Sequence, residues 1–246
     1  MKAMTKLQAA LAALVLTVGC GGGGSLPTEP DGAPDPGTPP DSGTPVTPAP
    51  QSLWPLTTGS TWTYDITDPQ RGRFTKTVTV KGPSEVPGMP GTQAIQVESV
   101  QDTSPVYTEL SWQQEADGMV NRLREEDRRD GALVRTTVWS PATLKTLSQL
   151  RELNWTYTQG AVTEKIAMGD GTVTEEPEKP YVWRVVAVNE SVSVPAGTFP
   201  NALRVLRTRA DQADSERTYW LVPGVGKVKE DSTDRLEELR SYSVKP

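Results

Sequence analysis

The chain reads as mainly β: a curved antiparallel sheet, half-barrel or barrel-like, built from two similar meander units, with one short helix near residues 141–151. Three observations predict this. Apolar and polar residues alternate with period two in run after run, as in Trp62-Thr63-Tyr64-Asp65-Ile66 and Trp155-Thr156-Tyr157-Thr158, the pattern of strands with one buried face. Turn dipeptides punctuate these runs at near-regular spacing, among them Asp68-Pro69, Pro87-Gly88, Asp117-Gly118, Asp130-Gly131, Asp170-Gly171 and Pro223-Gly224, and short strands with such turns argue for a curved or closed antiparallel sheet. Third, two stretches of the chain match each other at a constant offset.

The first 51 residues stand outside that sheet. Met1 to Lys6 is a small basic segment carrying Lys2 and Lys6, and Leu7 to Val18 is an apolar run. The run falls well short of the roughly 20 residues that a membrane-spanning helix requires, so residues 1–19 read as a cleaved export signal. Thr17-Val18-Gly19-Cys20 follows. This resembles the lipobox of bacterial lipoproteins, with Gly19 giving a peptidase access and Cys20, the single cysteine, supplying the thiol that receives diacylglycerol. Thr17 stands where the motif usually has Leu. The resemblance implies that Cys20 becomes an acylated N-terminus anchored in a membrane, since two or more acyl chains hold stably where one does not. Gly21, in place of Asp, implies sorting to the outer membrane. Residues 20–51 then form the lipidated Cys and a tether of Gly, Pro, Ser, Thr and Asp, with four acidic residues and no basic ones. Such a composition cannot bury enough surface to offset chain entropy. Its reach is about 90 Å as polyproline II and about 30 Å as a flexible coil.

The remaining residues, 52–246, make one β-rich unit. Trp62, Tyr64 and Ile66 mark the first strand. Phe74, Val78 and Val80 alternate with Thr75, Thr77 and Thr79, and Ile95 and Val97 flank Gln96. Ser140 as N-cap, Pro141 at the first helical position and Leu144, Leu147 and Leu150 at spacing three predict the helix. After Trp155 and Tyr157, the nearly unbroken apolar run Tyr181 to Val188 reads as a strand buried on both faces. Thr218 to Val222 and Leu239 to Val244 complete the set.

The internal match defines repeat units of about 53–139 and 152–246. Trp62-Thr63-Tyr64 recurs as Trp155-Thr156-Tyr157. Val78 and Val80 correspond to Val186 and Val188, and Val86-Pro87 to Val194-Pro195. Ala94-Ile95 corresponds to Ala202-Leu203, Trp112 to Trp220 and Gly118 to Gly226. The matches fall on the apolar, turn and Trp positions that define a meander, a rhythm that unrelated meanders also share. One such meander cannot bury its apolar face alone. The segments Val194-Pro195-Ala196-Gly197-Thr198-Phe199 and Tyr219-Trp220-Leu221-Val222-Pro223-Gly224-Val225-Gly226, with Leu56-Thr57-Thr58-Gly59-Ser60-Thr61-Trp62-Thr63-Tyr64, resemble a group of uncharacterised bacterial lipoproteins and secreted proteins. That resemblance implies a β-rich fold similar to the half-barrel of lipoprotein carrier and LppX-like proteins, and it brings no catalytic residues with it.

The chemistry is bounded by what is missing. The chain has no histidine, which removes Ser-His-Asp and Cys-His nucleophile arrangements and imidazole zinc sites. No Gly-x-Ser-x-Gly elbow or phosphate loop is present. No cofactor or metal is expected, and no basic stripe points to nucleic acid. The acidic run Glu125-Glu126-Asp127, among Arg122, Arg124, Arg128 and Arg129, reads as a solvated hairpin tip with compensated charges. Glu175, Glu176 and Glu178 near Asp170 lack the ligand spacing of a calcium loop. Of seven Trp, Trp62, Trp112, Trp155 and Trp220 sit on repeat-matched strand positions and read as core. Trp54, Trp139 and Trp183 are the candidates for a ligand-binding surface. Three functions remain open. The first is a non-enzymatic interaction or structural module anchored to the membrane by lipid, with an unknown protein partner. The second is a carrier of lipid or another apolar ligand in the concave face of the sheet. The third is a carboxylate-dependent hydrolase.

Overall fold

The computed structural model describes residues 51–209 and 211–246, without the side chains of Ala213 and Asp214. Cys20, the expected export signal and all but the last residue of the expected tether lie outside the described residues. Fourteen strands form one antiparallel sheet. In chain order they are β1 (Thr61–Asp68), β2 (Gly72–Glu85), β3 (Gln93–Gln101), β4 (Tyr107–Ala116), β5 (Met119–Arg129), β6 (Ala132–Leu147), β7 (Thr156–Thr158), β8 (Thr163–Met168), β9 (Val173–Pro177), β10 (Tyr181–Val194), β11 (Gly197–Arg209), β12 (Gln212–Val222), β13 (Gly226–Ser232) and β14 (Arg235–Ser243). Their order in the sheet is β7-β10-β11-β12-β13-β14-β1-β2-β3-β4-β5-β6-β8-β9. The last strand therefore pairs with the first, and two meander arms flank that seam. The sheet does not close into a barrel: β7 and β9 are its edges. Among the described residues no helix is long and apolar enough to cross a membrane.

Turn chemistry sets the hairpins as the dipeptides predict. Asp117 and Gly118 both have positive φ, 54° and 72°, and so do Asp130 and Gly131, at 47° and 82°. Two such residues in succession make the tight turn whose twist suits adjoining strands. They join β4 to β5 and β5 to β6.

Both arms are antiparallel meanders, six strands on the β14 side of the seam and eight on the β1 side, and part of their register coincides. In β3–β4, Ile95, Gln96 and Val97 face Gln113, Trp112 and Ser111. In β11–β12, Leu203, Arg204 and Val205 face Leu221, Trp220 and Tyr219; every one of these residues is 108 positions further on. Register irregularities also fall at Trp112/Gln113 and at Trp220/Leu221. Irregularities of this kind bend a strand and increase its twist.

The predicted helix at 141–151 is instead the end of β6. Leu144 and Leu147 are buried, but Leu150 is 58% exposed, so the three leucines do not share one face. Pro141 sits where the β5–β6 ladder jumps from the pair Arg124↔Val138 to Arg122↔Thr143, so its missing N–H interrupts no ladder bond, as expected for a strand proline. The run Tyr181 to Val188 is also not buried on both faces: Trp183 and Val185 are fully buried, while Arg184 and Val188 are exposed.

Curvature brings distant strands together. The Ala196 N–H, in the β10–β11 turn, donates to the Leu239 carbonyl of β14 at 2.8 Å, four strands away in the sheet. Trp62, Tyr64 and Ile66 of β1 pack with Val80, Val97, Val192, Val222, Val228 and Leu239 around the seam. A second cluster joins Leu144 and Leu147 of β6 to Trp183, Val185, Leu203, Val205, Tyr219 and Leu221 of the other arm, with Leu53 among them at 0% exposure. The segment before β1 straps this end. The Leu53 N–H donates to the Ser148 carbonyl at 2.8 Å, and the Ser52 carbonyl accepts from Gly224 N–H at 2.9 Å.

Candidate functional site

Where the arms face each other they enclose two adjoining cavities of about 440 and 380 Å³, within the usual range of small-molecule sites. Trp54, Glu109, Lys145, Arg217, Lys227 and Glu230 border both. Apolar residues line one end of the larger cavity, including Leu56, Trp62, Val78, Val80 and Val97; charged residues line the rest. The concave interior is thus predominantly polar.

The strands reach this interior by alternation. Tyr107 and Glu109 of β4 and Glu125 and Arg129 of β5 line the larger cavity, and across the pair Tyr107 faces Arg129, Glu109 faces Asp127 and Ser111 faces Glu125. Like charges directly opposite each other are destabilising, and the structure surrounds them with cations. Arg135, directly opposite Asp127 on β6, brings Nη2 to 2.6 Å from Asp127 Oδ2 and 3.6 Å from Glu125 Oε1. Arg122 pairs with Glu125, and Tyr107 donates its hydroxyl to Asp127 Oδ1 at 2.5 Å. Burial pushes the Glu125 carboxyl up to about 7, opposed by Arg122 and reinforced by Glu109. Burial also raises Glu109, but Lys145, Arg122 and Lys76 outweigh it and hold that carboxyl below the usual range.

The facing arm and the seam carry a second ionic group. Lys227 Nζ lies 2.7 Å from Glu237 Oε2 and also pairs with Glu230. Arg217 Nη1 is 2.8 Å from Glu230 Oε1, and Lys76 pairs with Glu237. The Tyr64 hydroxyl donates to the Lys227 carbonyl at 2.9 Å. Burial works against the Glu230 carboxylate, yet Lys227, followed by Arg217 and Lys76, draws it down to about 2. Burial pulls the Lys76 ammonium down to about 8, against the attraction of Glu237 and with the repulsion of Lys227.

The predicted Trp candidates separate. Trp54 borders both cavities, and its indole N–H donates to Gln113 Oε1 at 3.0 Å. Trp139 borders the smaller cavity, with the Arg122 guanidinium 4.1 Å above its ring. Trp183 is fully buried, stacked on Tyr219 with ring centroids 5.6 Å apart, and lines neither cavity. Of the four expected in the core, Trp62 and Trp112 are buried; Trp155 and Trp220 are half-buried against it.

Glu125-Glu126-Asp127 is not a solvated hairpin tip. The tip is at Asp130-Gly131, and all three acids are buried within β5. Glu125 and Asp127 belong to the arginine-compensated cluster just described, while Glu126 pairs with Arg124 and Arg128 at 2.8 and 2.9 Å. Glu109, Glu125 and Asp127 place carboxylate oxygens within 4.8 Å of one another, a spacing open to a cation, but Arg122, Arg135 and Tyr107 already engage Glu125 and Asp127. That donor set is built for guanidinium. Glu175 and Glu176 lie on exposed β9, Asp170 accepts from Thr172 N–H at 2.9 Å, and Glu178 accepts from Thr143 Oγ1 at 2.8 Å.

Sequence reasoning missed Lys145, Arg217, Lys227 and Glu109. The available signal was negative: β4 and β5 carry polar residues at successive alternate positions where a core-facing strand should be apolar.

No protein-family model matches the chain, and no curated protein matches it. Among solved structures, a presumed lipoprotein from Parabacteroides distasonis aligns with a TM-score of 0.39 at 12% identity, covering 78% of this chain and 99% of its own. A presumed exported protein with a YmcC-like fold from Bacteroides fragilis aligns with a TM-score of 0.40 at 11% identity, with the same coverage.

Proposed function

We propose that the chain is an exported lipoprotein, anchored at the outer membrane through lipid on Cys20, whose folded unit is a non-enzymatic module that binds a polar ligand between the arms of its sheet. The observation that carries the binding half is the charged lining of the larger cavity, where Lys76, Glu109, Glu125, Lys145, Lys227 and Glu230 take positions that an apolar-ligand carrier would give to aliphatic side chains. Desolvating such groups against a hydrocarbon tail is costly, so carriage of an apolar ligand is the weaker reading. The anchoring half rests on Thr17-Val18-Gly19-Cys20 and the apolar run before it. Cys20→Ala moves the protein from the membrane to the soluble fraction on this reading; persistence in the membrane contradicts it. The coincident β3–β4 and β11–β12 registers support reading residues of about 53–139 and 152–246 as two copies of one meander unit.

One observation favours a second reading, a carboxylate-dependent hydrolase. Glu125, with its carboxyl near 7, lies beside Glu109, whose carboxyl is held low. Divergent carboxyls of this kind divide acid from base roles in catalysis. Turnover of aryl glycosides or esters that disappears in both Glu109→Gln and Glu125→Gln, with the fold intact, selects this reading. Absence of turnover selects the binding module.

A further inference from the structure

We infer that the interior is an anion site: Lys145 and Arg217, approached past Arg71, Arg129 and Arg135, receive the carboxylate or phosphate group of a small polar ligand. The inference rests on the binding-module reading above and gives it a ligand class. Three observations support it. The first is an inversion of sign. Acidic residues outnumber basic ones 31 to 25 in the whole chain, yet eight Lys and Arg line the larger cavity against four Glu; Asp68 and Asp127 neutralise Arg71 and Arg135, which leaves six lining cations to the four Glu. A cleft with low-dielectric walls and an excess of one sign of charge concentrates ions of the other sign.

The second is how those charges are shared. Glu230 and Glu237 are shared among four cavity cations, namely Lys76, Lys227, Arg217 and Arg235. Asp234 adds a contact to Arg217 at 3.8 Å from a position 70% exposed. Uncompensated positive charge in a largely desolvated setting is costly, and an incoming anion relieves it.

The third is Lys145. It borders both cavities and forms no ion pair within 4 Å among the described residues. Burial lowers its affinity for a proton, Glu109 restores part of it, and Arg122 and Lys227 repel its charge. A lysine placed so, between facing arms and without a fixed partner, has its donors available for a ligand.

The test is calorimetric titration of the full-length protein in detergent, with glucuronate and inorganic pyrophosphate as anionic probes and glucose as the neutral one. Expected is binding of at least one anion, weakening with added salt, and no binding of glucose; the stronger anion says whether a carboxylate or a phosphate is recognised. Lys145→Met should weaken that binding about tenfold or more, the worth of one charge-assisted hydrogen bond. Arg129→Gln, at an exposed rim position, should weaken it less and flatten the salt dependence. Glucose binding as well as the anions do overturns the anion assignment while leaving a polar-ligand module standing. Binding of no probe overturns both readings. Anion binding that Lys145→Met and Arg129→Gln both leave unchanged overturns the placement in this cavity.

Discussion

Leu53 is a single aliphatic side chain inserted between the two arms, touching the β6 leucines on one side and the β10–β12 cluster on the other. Its removal leaves a cavity that neither arm alone can fill, so Leu53→Ala should cost about 2–5 kcal/mol, read as a lowered midpoint in urea. Leu150→Ala, at an exposed position, should stay within about 0.5 kcal/mol of wild type. Glu125 provides a pH signature. Its folded carboxyl, near 7, lies above the ordinary 4.5, so between those values the native state binds more protons than the unfolded chain. Its contribution therefore weakens stability as pH rises from about 5 to about 7. Glu125→Gln should flatten that slope in denaturation curves taken across the interval. Glu230 has the opposite sign: held near 2, it contributes stability above 4.5 that is lost as pH falls toward 2. A Glu230→Gln protein should lack that acid-side loss.

At the scale of elements, the two Asp-Gly turns permit a comparison. Both glycines have positive φ, but a Cβ on Gly131 meets nothing within 4 Å, whereas one on Gly118 would lie 2.7 Å from Arg151 Nη2 and 2.8 Å from Gln149 Oε1. Gly131→Ala should cost about 1–2 kcal/mol from backbone conformation alone. Gly118→Ala should cost more, because two side chains must also move; urea midpoints of the two variants decide it. These turns were legible because their requirement is local: two residues with positive φ between strands call for Asp-Gly. The end of β6 was not. Ser140-Pro141 and three leucines at spacing three satisfy the local rules for a helix, and nothing nearby in sequence says that β5 is available to pair with residues 143–147. Partner strands decided that element, as they often override propensity. Likewise the charges of β5 looked like a solvated tip, because burial of Glu125 and Asp127 depends on Arg135 from the next strand.

At the scale of the whole molecule, the segment just before β1 is a strap across the arms. Ser52 and Leu53 bond to opposite arms, and Trp54 borders both cavities. Limited digestion with a broad-specificity protease should cut within residues 21–51 and spare a fragment that retains Leu53, since the strap is hydrogen-bonded and buried. Uniform digestion would contradict this division. By itself the sequence determined the β class and the Asp-Gly turns, because these are written in period-two alternation and in a two-residue motif; the export signal, the lipidated Cys20, the spacer and the doubled meander are its expectations. Only the tertiary structure decided that the sheet stays open with the last strand beside the first, and that its interior is ionic. Residues as far apart as Lys76, Glu109, Lys145, Arg217 and Glu237 acquire a shared environment solely through curvature. Their burial and pairing are properties of that enclosure rather than of any segment of the chain.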